Sequence, residues 1–481
     1  MKTSENMKKN IIVATCAVLP VLCFAKDRVE EEKPNFLLFI SDDCTYRDLG
    51  CYGSQDAITP NIDKFAKEGM MFSKAYQAVP MSGPTRNNLY SGLWPQKSGA
   101  YPNHSFSNNG NVSIVHHLKP LGYKVALIGK SHVFPVEVYP FDLYVPRLAP
   151  DNALDFDSIE RFIKECEERN VPYCLYVCTG SPHSPWTKGD QTKFSAEKLT
   201  LPPIYVDVPE TRENYRNYLA EINHMDGEFG RVLGILDDKG DKENTMVTFL
   251  SEQGNSFPFS KWTCYDIGVH SAMLVRYPKK IKANTQSNAL VEYIDVVPTY
   301  IDMAGGSPVA PIDGRSFKEV LLGKKEEHKK YTFSIQTTRG IKSGSQFYGV
   351  RAVCDGQYRY ILNLTPTERF RCATTLSDMF KAWEKKAQTD EKAKFLVNKY
   401  QYRPQEELYD VNKDPYCMNN LIEDKELSSK RKELSAELKK WMDNCGDLGN
   451  ETELNATNRI SKVRVKKIQK EWLQLDGKIY N

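Results

Sequence analysis

Short apolar runs alternate with segments of helical periodicity over the first two-thirds of this chain, and this alternation most constrains how it can fold. Residues 36–40 are apolar at every position, as in a strand buried on both faces of its sheet. Thr59 and Pro60 predict the start of a helix, with Thr59 as its cap. Strands that alternate with helices form βαβ units, so the sequence predicts an α/β fold with a mostly parallel sheet flanked by helices. Further strands are predicted at 123–128, 173–178, 245–250 and 272–277, and helices near 155–169 and 212–236.

The pattern changes after about residue 330. Residues 348–353 and 358–362 predict an antiparallel pair of strands, and charge-rich helical segments follow them. A chain of 481 residues is longer than one ordinary core requires, so we expect two domains. We place the main domain at 26–330 and a smaller C-terminal α+β subdomain, with an antiparallel sheet, at 331–481.

The first 25 residues have the pattern of an export signal. Lys8 and Lys9 precede the apolar stretch 11–24, which is shorter than a membrane-spanning helix. Ala25 supplies the small residue that a signal peptidase requires, so we predict cleavage after it and a periplasmic or secreted protein without a membrane span. Lipid attachment at Cys23 is the weaker alternative, because bulky Leu22 precedes that cysteine.

Charge and cysteine content exclude some classes of protein. The formal net charge of +3 gives no indication of nucleic-acid binding. The one basic cluster lies near the C-terminus, and we interpret it as a solvated strand or tail; it consists of Lys462, Arg464, Lys466, Lys467 and Lys470. The cysteines beyond the signal form no C-x-x-C pair and have no zinc-finger spacing, while one or two disulfides after export stay open.

Four predicted strands are followed by polar residues that bind ions or transfer protons. These residues are Asp42, Asp43, Lys130, His132, His183, Glu252 and Gln253. Open α/β sheets bind ligands at the carboxyl ends of their strands, so we expect one shared site rather than separate helix caps and surface turns. Adjacent Asp42 and Asp43 repel each other unless a cation neutralises them. With Glu252 and Gln253 they form an all-oxygen set, which suits calcium or magnesium better than zinc.

The segment 80–92 is the most specific pattern in the chain. Ser82 and Pro84 are consistent with a simple helix start, with Ser82 as the cap. Arg86 follows Ser82 by four residues, so the two side chains would be neighbours on a helix. A helix N-terminus beside an arginine is suited to an anionic nucleophile or a tetrahedral anion.

These motifs resemble those of the sulfatase family of the alkaline-phosphatase superfamily. The family signature C/S-x-P-x-R reads Ser82-Gly83-Pro84-Thr85-Arg86 here, and Leu89 and Gly92 follow it. Other motifs of the family match Asp42-Asp43 and the segments 48–53, 129–132, 182–185, 261–263, 407–410 and 414–415. The resemblance covers about residues 34 to 422, with the motifs in the family's order, and it implies an alkaline-phosphatase-like fold. Within the family, residues 139–142 are similar to those of N-sulfoglucosamine sulfohydrolases.

The resemblance implies that Ser82 is the nucleophile. A serine-type sulfatase-maturating enzyme would oxidise it to formylglycine, whose hydrated gem-diol attacks sulfur. A sulfate ester of unmodified serine has no easy route to release sulfate. A gem-diol hemiester, in contrast, collapses to the aldehyde and expels sulfate.

The resemblance also implies roles for the basic residues around Ser82. Arg86 would hold the gem-diol, and Lys130 and Lys261 would bind sulfate oxygens. His132 would take the proton of the gem-diol when sulfate leaves. His183 would protonate the leaving oxygen or nitrogen.

Calcium, with magnesium as the alternative, is the metal that the resemblance implies. Its ligands would be Asp42, Asp43, Ser82, Glu252 and Gln253. The family more often has Asp followed by Asn or His at the last two positions. Glu252 and Gln253 keep an oxygen donor and add a methylene, which a flexible calcium site accepts.

We therefore predict an exported sulfatase that hydrolyses a sulfate ester or sulfamate of a sulfated glycan. The substrate would be a fragment of a glycosaminoglycan, a mucin or an algal glycan, with the sulfate at a chain end. The alternatives are a phosphatase or phosphonate hydrolase of the same superfamily with unmodified Ser82, and a glycan-binding protein that has lost turnover.

Overall fold

The computed structural model of the chain describes residues 32–479, so the predicted signal peptide lies outside the described residues. Within this range, no helix combines the length and the apolar character needed to cross a bilayer. The described cysteines are all free thiols, and most of them are buried, so the structure forms none of the disulfides that the sequence left open.

The larger sheet contains the strands predicted in the first two-thirds of the chain. Its strands are β1 (Asn35–Ile40), β2 (Met70–Tyr76), β3 (Lys124–Gly129), β4 (Leu143–Val145), β5 (Tyr173–Cys178), β6 (Thr245–Leu250), β7 (His270–Arg276), β8 (Thr285–Ser287) and β9 (Val291–Glu292). The spatial order is β4-β3-β5-β1-β6-β7-β2-β8, and β9 pairs with β2. Only β7 runs antiparallel to its two neighbours, so the prediction of a mostly parallel sheet is confirmed.

Helices cover both faces of this sheet. Among the described residues the α-helices are α1 (Pro60–Glu68), α2 (Ser82–Ser91), α3 (Pro95–Ser98), α4 (Ile114–Leu118), α5 (Phe156–Glu168), α6 (Pro209–Lys239), α7 (Asp266–Val269), α8 (Val296–Met303), α9 (Lys318–Leu321), α10 (Asp378–Lys386), α11 (Glu391–Gln401), α12 (Ser428–Cys445), α13 (Asn450–Asn455) and α14 (Lys462–Asp476).

Alternate residues of β1 face opposite sides of the sheet, which explains its unbroken apolar sequence. Phe39 packs against Phe229 of α6 on one face, with ring centroids 5.1 Å apart. Phe36 stacks on Tyr300 of α8 on the other face, at 4.4 Å. Burial of each such ring stabilises the fold by roughly 1.5–3 kcal/mol. These two cores fix the sheet, and with it the ends of its strands, between the helical layers.

A smaller antiparallel sheet follows in the chain. It consists of β10 (Thr332–Thr337), β11 (Gly349–Cys354), β12 (Tyr358–Asn363) and β13 (Glu406–Asp410), in that order. The pair β11–β12 is the predicted hairpin, and its turn includes Gly356 at φ +90°. The predicted fold class is therefore confirmed. Ile335 N donates to Ala78 O at 2.8 Å, which joins this sheet to the larger unit, and the domain boundary near residue 330 stays a prediction.

The basic C-terminal cluster forms helix α14, so its interpretation as a strand or tail is wrong. Ile468 and Trp472 are four residues apart and therefore lie on one side of the helix, where both are buried. Trp472 Nε1 donates to Gly344 O at 2.9 Å. The apolar pair docks the helix, and its lysines remain in solvent.

Candidate active site

The strands that precede the predicted site residues end at one level of the larger sheet. Ile40 of β1 lies beside both Cys178 of β5 and Leu250 of β6, and Gly129 of β3 lies beside Cys178. The residues that follow these four strands are therefore delivered to the same edge, as expected for the carboxyl end of a parallel sheet.

Ser82 is the first residue of α2 and not its cap, because Met81 occupies the cap position in an extended conformation. The Ser82 hydroxyl donates to the carboxylate of Glu252, with both oxygens at 3.0 Å. One turn later, Arg86 Nε lies 3.4 Å from Ser82 Oγ, so the predicted proximity of the two side chains is present. Every residue of α2 is buried, which holds this helix start rigidly.

Arg86 and Glu252 form a bidentate ion pair whose side chains are both 0% exposed. The two bonds measure 2.8 and 3.0 Å, and Arg86 Nη1 also donates to Lys130 O at 2.8 Å. Burial raises the pKa of Glu252 to about 7, and the positive charge of Arg86 opposes that rise only in part. The pair fixes the Glu252 carboxylate against the Ser82 hydroxyl.

Lys130 and Asp42 form a second ion pair beside the first. Lys130 Nζ lies 2.6 and 2.7 Å from the two oxygens of the buried Asp42 carboxylate. Burial alone would raise the pKa of Asp42, but Lys130, His183 and Arg86 together hold it well below its usual value. Asp42 is therefore ionised at neutral pH.

Asp43 accepts from several donors at once. Lys261 Nζ lies 2.5 Å from Asp43 Oδ2, and Gln253 Nε2 donates to Asp43 Oδ1 at 2.6 Å. His183 Nε2 lies 3.5 Å from the same carboxylate and 3.4 Å from Lys261 Nζ. Asp43 has φ +62°, a left-handed conformation that costs a non-glycine residue free energy. The dense set of donors holds Asp43 in this strained geometry.

His132 pairs with a histidine that the sequence analysis did not select. His132 Nε2 lies 2.9 Å from His104 Nδ1, and His132 Nδ1 is buried without a partner among the described residues. Burial, followed by the positive charge of Lys130, lowers the pKa of His132 well below its usual value. Burial and Arg464 lower the pKa of His104 to about 4. His104 lies in a loop and not at the end of a strand, so no sequence signal pointed to it.

A cavity of about 600 Å³ opens above these groups. Its walls include Ser82, Lys130, His132, His183 and Lys261, so the structure brings five of the predicted catalytic residues to one space. The remaining predicted residues lie buried beneath them; they are Asp42, Asp43, Arg86, Glu252 and Gln253. A volume of this size encloses a ligand of one or two sugar rings.

The oxygen atoms beneath the cavity fit a hard divalent cation. Gln253 Oε1 is buried and accepts no hydrogen bond from the described residues, although the amide nitrogen of the same side chain donates to Asp43. One oxygen of Asp42, one of Asp43 and a ring nitrogen of His183 lie within 4.8 Å of one another. An unpartnered amide oxygen beside two buried carboxylates is the donor chemistry that calcium and magnesium prefer.

Comparison with known protein sequences identifies the family. A model of the Sulfatase family matches residues 34–306, and a model of the N-sulphoglucosamine sulphohydrolase C-terminal region matches residues 254–371. An ulvan-active sulfatase of Formosa agariphila is 30% identical over 431 residues, which cover 88% of this chain and 82% of the relative. Human N-sulphoglucosamine sulphohydrolase is 27% identical, with 89% and 93% covered. The chain belongs to the sulfatase family, whose members hydrolyse sulfate esters, and the predicted resemblance is confirmed.

Solved structures share the fold. A structure from work on glycosaminoglycan metabolism by Bacteroides thetaiotaomicron has a TM-score of 0.68 at 20% identity and covers 89% of this chain and 100% of its own. Another, solved in complex with its substrate D-glucosamine-2-N,6-O-disulfate, has a TM-score of 0.63 at 20% identity, with 87% and 99% covered.

Proposed function

We propose that this chain is an exported carbohydrate sulfatase that acts through a formylglycine formed at Ser82. The observation that carries the proposal is the position of Ser82. It begins a buried helix at a cavity whose walls also include the predicted residues Lys130, Lys261, His132 and His183. A helix N-terminus favours the negative charge that develops at such a position.

Ser82 lies where a larger, hydrated side chain has polar neighbours. A Cβ built at the adjacent Gly83 would lie 3.5 Å from His132 Nε2 and 3.6 Å from Asn103 Oδ1, so both groups face the start of α2. Formylglycine at this position supplies a hydroxyl that attacks sulfur and an aldehyde to which the enzyme returns when sulfate leaves. Arg86 and Glu252 orient that side chain by the same contacts that hold the serine hydroxyl.

Lys130 and Lys261 bind the sulfate oxygens from the cavity wall. Each ammonium is anchored by one aspartate, Asp42 or Asp43, and still lines the cavity. With Arg86 and Glu252 these groups carry equal numbers of positive and negative charges. A divalent cation, which the oxygens beneath them would hold, would add the net positive charge that suits a sulfate monoester. We assign that cation as calcium, bound by Asp42, Asp43, Glu252, Gln253 and the modified Ser82 side chain.

His132 and His183 move the protons. The carbonyl oxygen of Ser184 lies 2.6 Å from His183 Nδ1 and can only accept, so Nδ1 carries a proton, while Nε2 lies beside Lys261 and Asp43 at the cavity. Asp43 raises the pKa of His183, but Lys261 and burial together lower it below its usual value, so the imidazole gains a proton before Nε2 donates to the leaving oxygen or nitrogen. His132 lies on the Ser82 side of the cavity and accepts the proton of the hydrated side chain.

A sulfated carbohydrate is the substrate class that the relatives' names support. They include ulvan-active sulfatase and N-sulphoglucosamine sulphohydrolase, and the cavity is large enough for a sugar ring. Export after cleavage at Ala25 would place the enzyme in the periplasm or outside the cell, where such glycans are found.

The test combines mass spectrometry with turnover. The chain is produced together with a serine-type maturating enzyme, and the peptide that contains Ser82 is analysed. We expect the loss of the two hydrogen atoms that separate a primary alcohol from its aldehyde, together with release of sulfate from sulfated saccharides. An intact serine in a chain that hydrolyses phosphate esters would instead establish the phosphatase alternative.

A further inference from the structure

The C-terminal helix α14 forms a wall of the active-site cavity. The segment that leads into α14 is anchored by an isolated β-bridge between Ile460 and Ser105, the residue that follows His104. Its far half is held by Trp472 and by Glu471 Oε2, which accepts from Ser343 N at 2.7 Å. The helix is thus fixed against both the His104 loop and the loop that follows β10.

Arg464 extends from this helix into the cavity that Ser82 and Lys130 also line. Its Nη2 donates to Gly340 O at 3.2 Å. Its Nε is buried and has no acceptor, and Arg464 forms no ion pair within residues 32–479. A buried guanidinium N–H without an acceptor costs free energy that an anionic ligand would recover. Lys130 and Lys261 each form an ion pair with an aspartate, whereas Arg464 has only the longer-range attraction of Glu471 on its own helix.

A second cation lies on the same cavity. Lys342 follows the strand β10 and is exposed, and it lines the cavity close in sequence to Gly340, the residue that Arg464 contacts. The positive charge of Arg464 also acts on the histidine pair, because it adds to burial in lowering the pKa of His104. The cavity therefore has a second region of positive charge beyond the two lysines that face Ser82.

We propose that Arg464 and Lys342 form a second anion subsite, which binds a carboxylate or a further sulfate on the glycan whose sulfate ester is cleaved. The inference rests on the proposed function, and it narrows the substrate to a saccharide with two anionic groups. A planar guanidinium binds the paired oxygens of a carboxylate or sulfate in a bidentate manner, and a mobile lysine adds charge. The basic C-terminal segment thereby gains a role in choosing the substrate.

Turnover of two matched pairs of saccharides tests the subsite. One pair is a sulfated hexosamine linked to a hexuronate and its methyl ester, and the other is a doubly sulfated disaccharide and its singly sulfated counterpart. Arg464→Gln should lower kcat/KM for a doubly anionic member about tenfold more than for its partner, mainly through KM. Whichever pair shows the larger effect identifies the anion as carboxylate or sulfate. Arg464→Lys should restore part of the difference.

Lys467→Gln is the matched control, because it removes one charge from an exposed position of the same helix that does not line the cavity. We expect it to leave both ratios within about twofold of the wild type. Equal losses on both members of each pair in Arg464→Gln, or the same change of ratio in Lys467→Gln, would overturn the subsite.

Binding separates this inference from the proposed function. Calorimetry on the Ser82→Ala chain measures affinity for the same saccharides without turnover. A preference of about tenfold for the doubly anionic member, lost when Arg464→Gln is added, supports the subsite even if the wild type cleaves none of them. Equal affinity for both members of each pair overturns it, even if the wild type is an active sulfatase.

Discussion

A single buried carboxylate connects Ser82, the proposed nucleophile, to the fixed charges of this enzyme. Glu252 accepts a hydrogen bond from Ser82 and forms an ion pair with Arg86. Both contacts are direct, and all three side chains are buried. Such a pair is costly to form, because two charges leave water, yet it is more costly to break from one side. The arrangement therefore contributes orientation at Ser82 more than net stability.

Replacement of the proposed nucleophile separates an effect on catalysis from an effect on folding. Ser82→Ala should abolish sulfate release and lower the free energy of unfolding by about 1 kcal/mol, the value of one hydrogen bond. Ser91→Ala is the matched control, since Ser91 also forms a buried hydrogen bond on α2, to Asn87 O, but does not line the cavity. Kinetics and urea denaturation of both variants provide the measurement. Appreciable sulfatase activity in Ser82→Ala would refute the assigned nucleophile.

Glu252 also tests the metal. Glu252→Ala leaves Arg86 buried and unpaired, which should lower the free energy of unfolding by about 3 kcal/mol, and it should cost activity that added calcium restores only in part. Asp447→Ala breaks the buried Arg351–Asp447 pair and is the control, because it should lower stability without changing calcium affinity. Calcium titration calorimetry distinguishes the two variants. A rate that survives exhaustive chelation would show that the metal assignment is wrong.

At the scale of elements, the sequence predicted what hydrophobic periodicity encodes. The strands β1, β5 and β6 were predicted to within a residue at each end, because apolar runs, which only threonines interrupt in β6, mark strands that are buried on both faces. The residues that follow those strands could be assigned to one site, because the carboxyl ends of parallel strands lie at the same edge of the sheet. His104 could not be assigned, since a loop outside any strand end reaches the cavity only through tertiary packing.

Helix α14 shows why the remaining wall of the site was missed. The segment is dominated by basic residues at 462, 464, 466, 467 and 470. The sequence interpretation therefore gave no weight to the apolar pair Ile468 and Trp472. The pair packs against Ile460, and Trp472 Nε1 also donates to Gly344 O in the loop after β10. A partner so distant in sequence leaves no local signal, so composition alone favoured a solvated tail.

Docking of α14 can be tested at Trp472. Trp472→Ala should lower the free energy of unfolding by about 3 kcal/mol and should expose the C-terminal segment to limited proteolysis, because a large buried ring is removed. Leu473→Ala, at the exposed neighbouring position, is the control and should change neither observable. If both variants resisted protease and denaturant as the wild type does, the helix would not be held by this contact.

On the scale of the whole molecule, the cavity has walls from opposite ends of the chain. The strand ends of the larger sheet supply the groups that we assign to sulfate binding, whereas Asn217 of α6, Lys342 and Arg464 of α14 line the same space. Parts of the chain outside the strand ends would therefore decide which glycan fits above the proposed sulfate site. We therefore predict that the groups at the strand ends determine the reaction and that the outer walls of the cavity determine the substrate preference.

The outer walls should restrict the enzyme to sulfate at the end of a glycan. The cavity volume of about 600 Å³ accommodates one or two sugar rings, and an internal unit of a polymer would need two openings for its chain. Buried polar groups along the walls reject a ring whose hydroxyls do not pair with them, so discrimination between positional isomers should be strong.

The measurement is a panel of saccharides sulfated at nitrogen or at each ring hydroxyl, offered to matured enzyme both as disaccharides and as intact polymers. We expect cleavage of terminal sulfate in one or two isomers and at least about tenfold lower kcat/KM on polymer. Equal rates on polymer and on terminal disaccharides would exclude action at the chain end, and uniform rates across the isomers would show that the walls do not select the substrate.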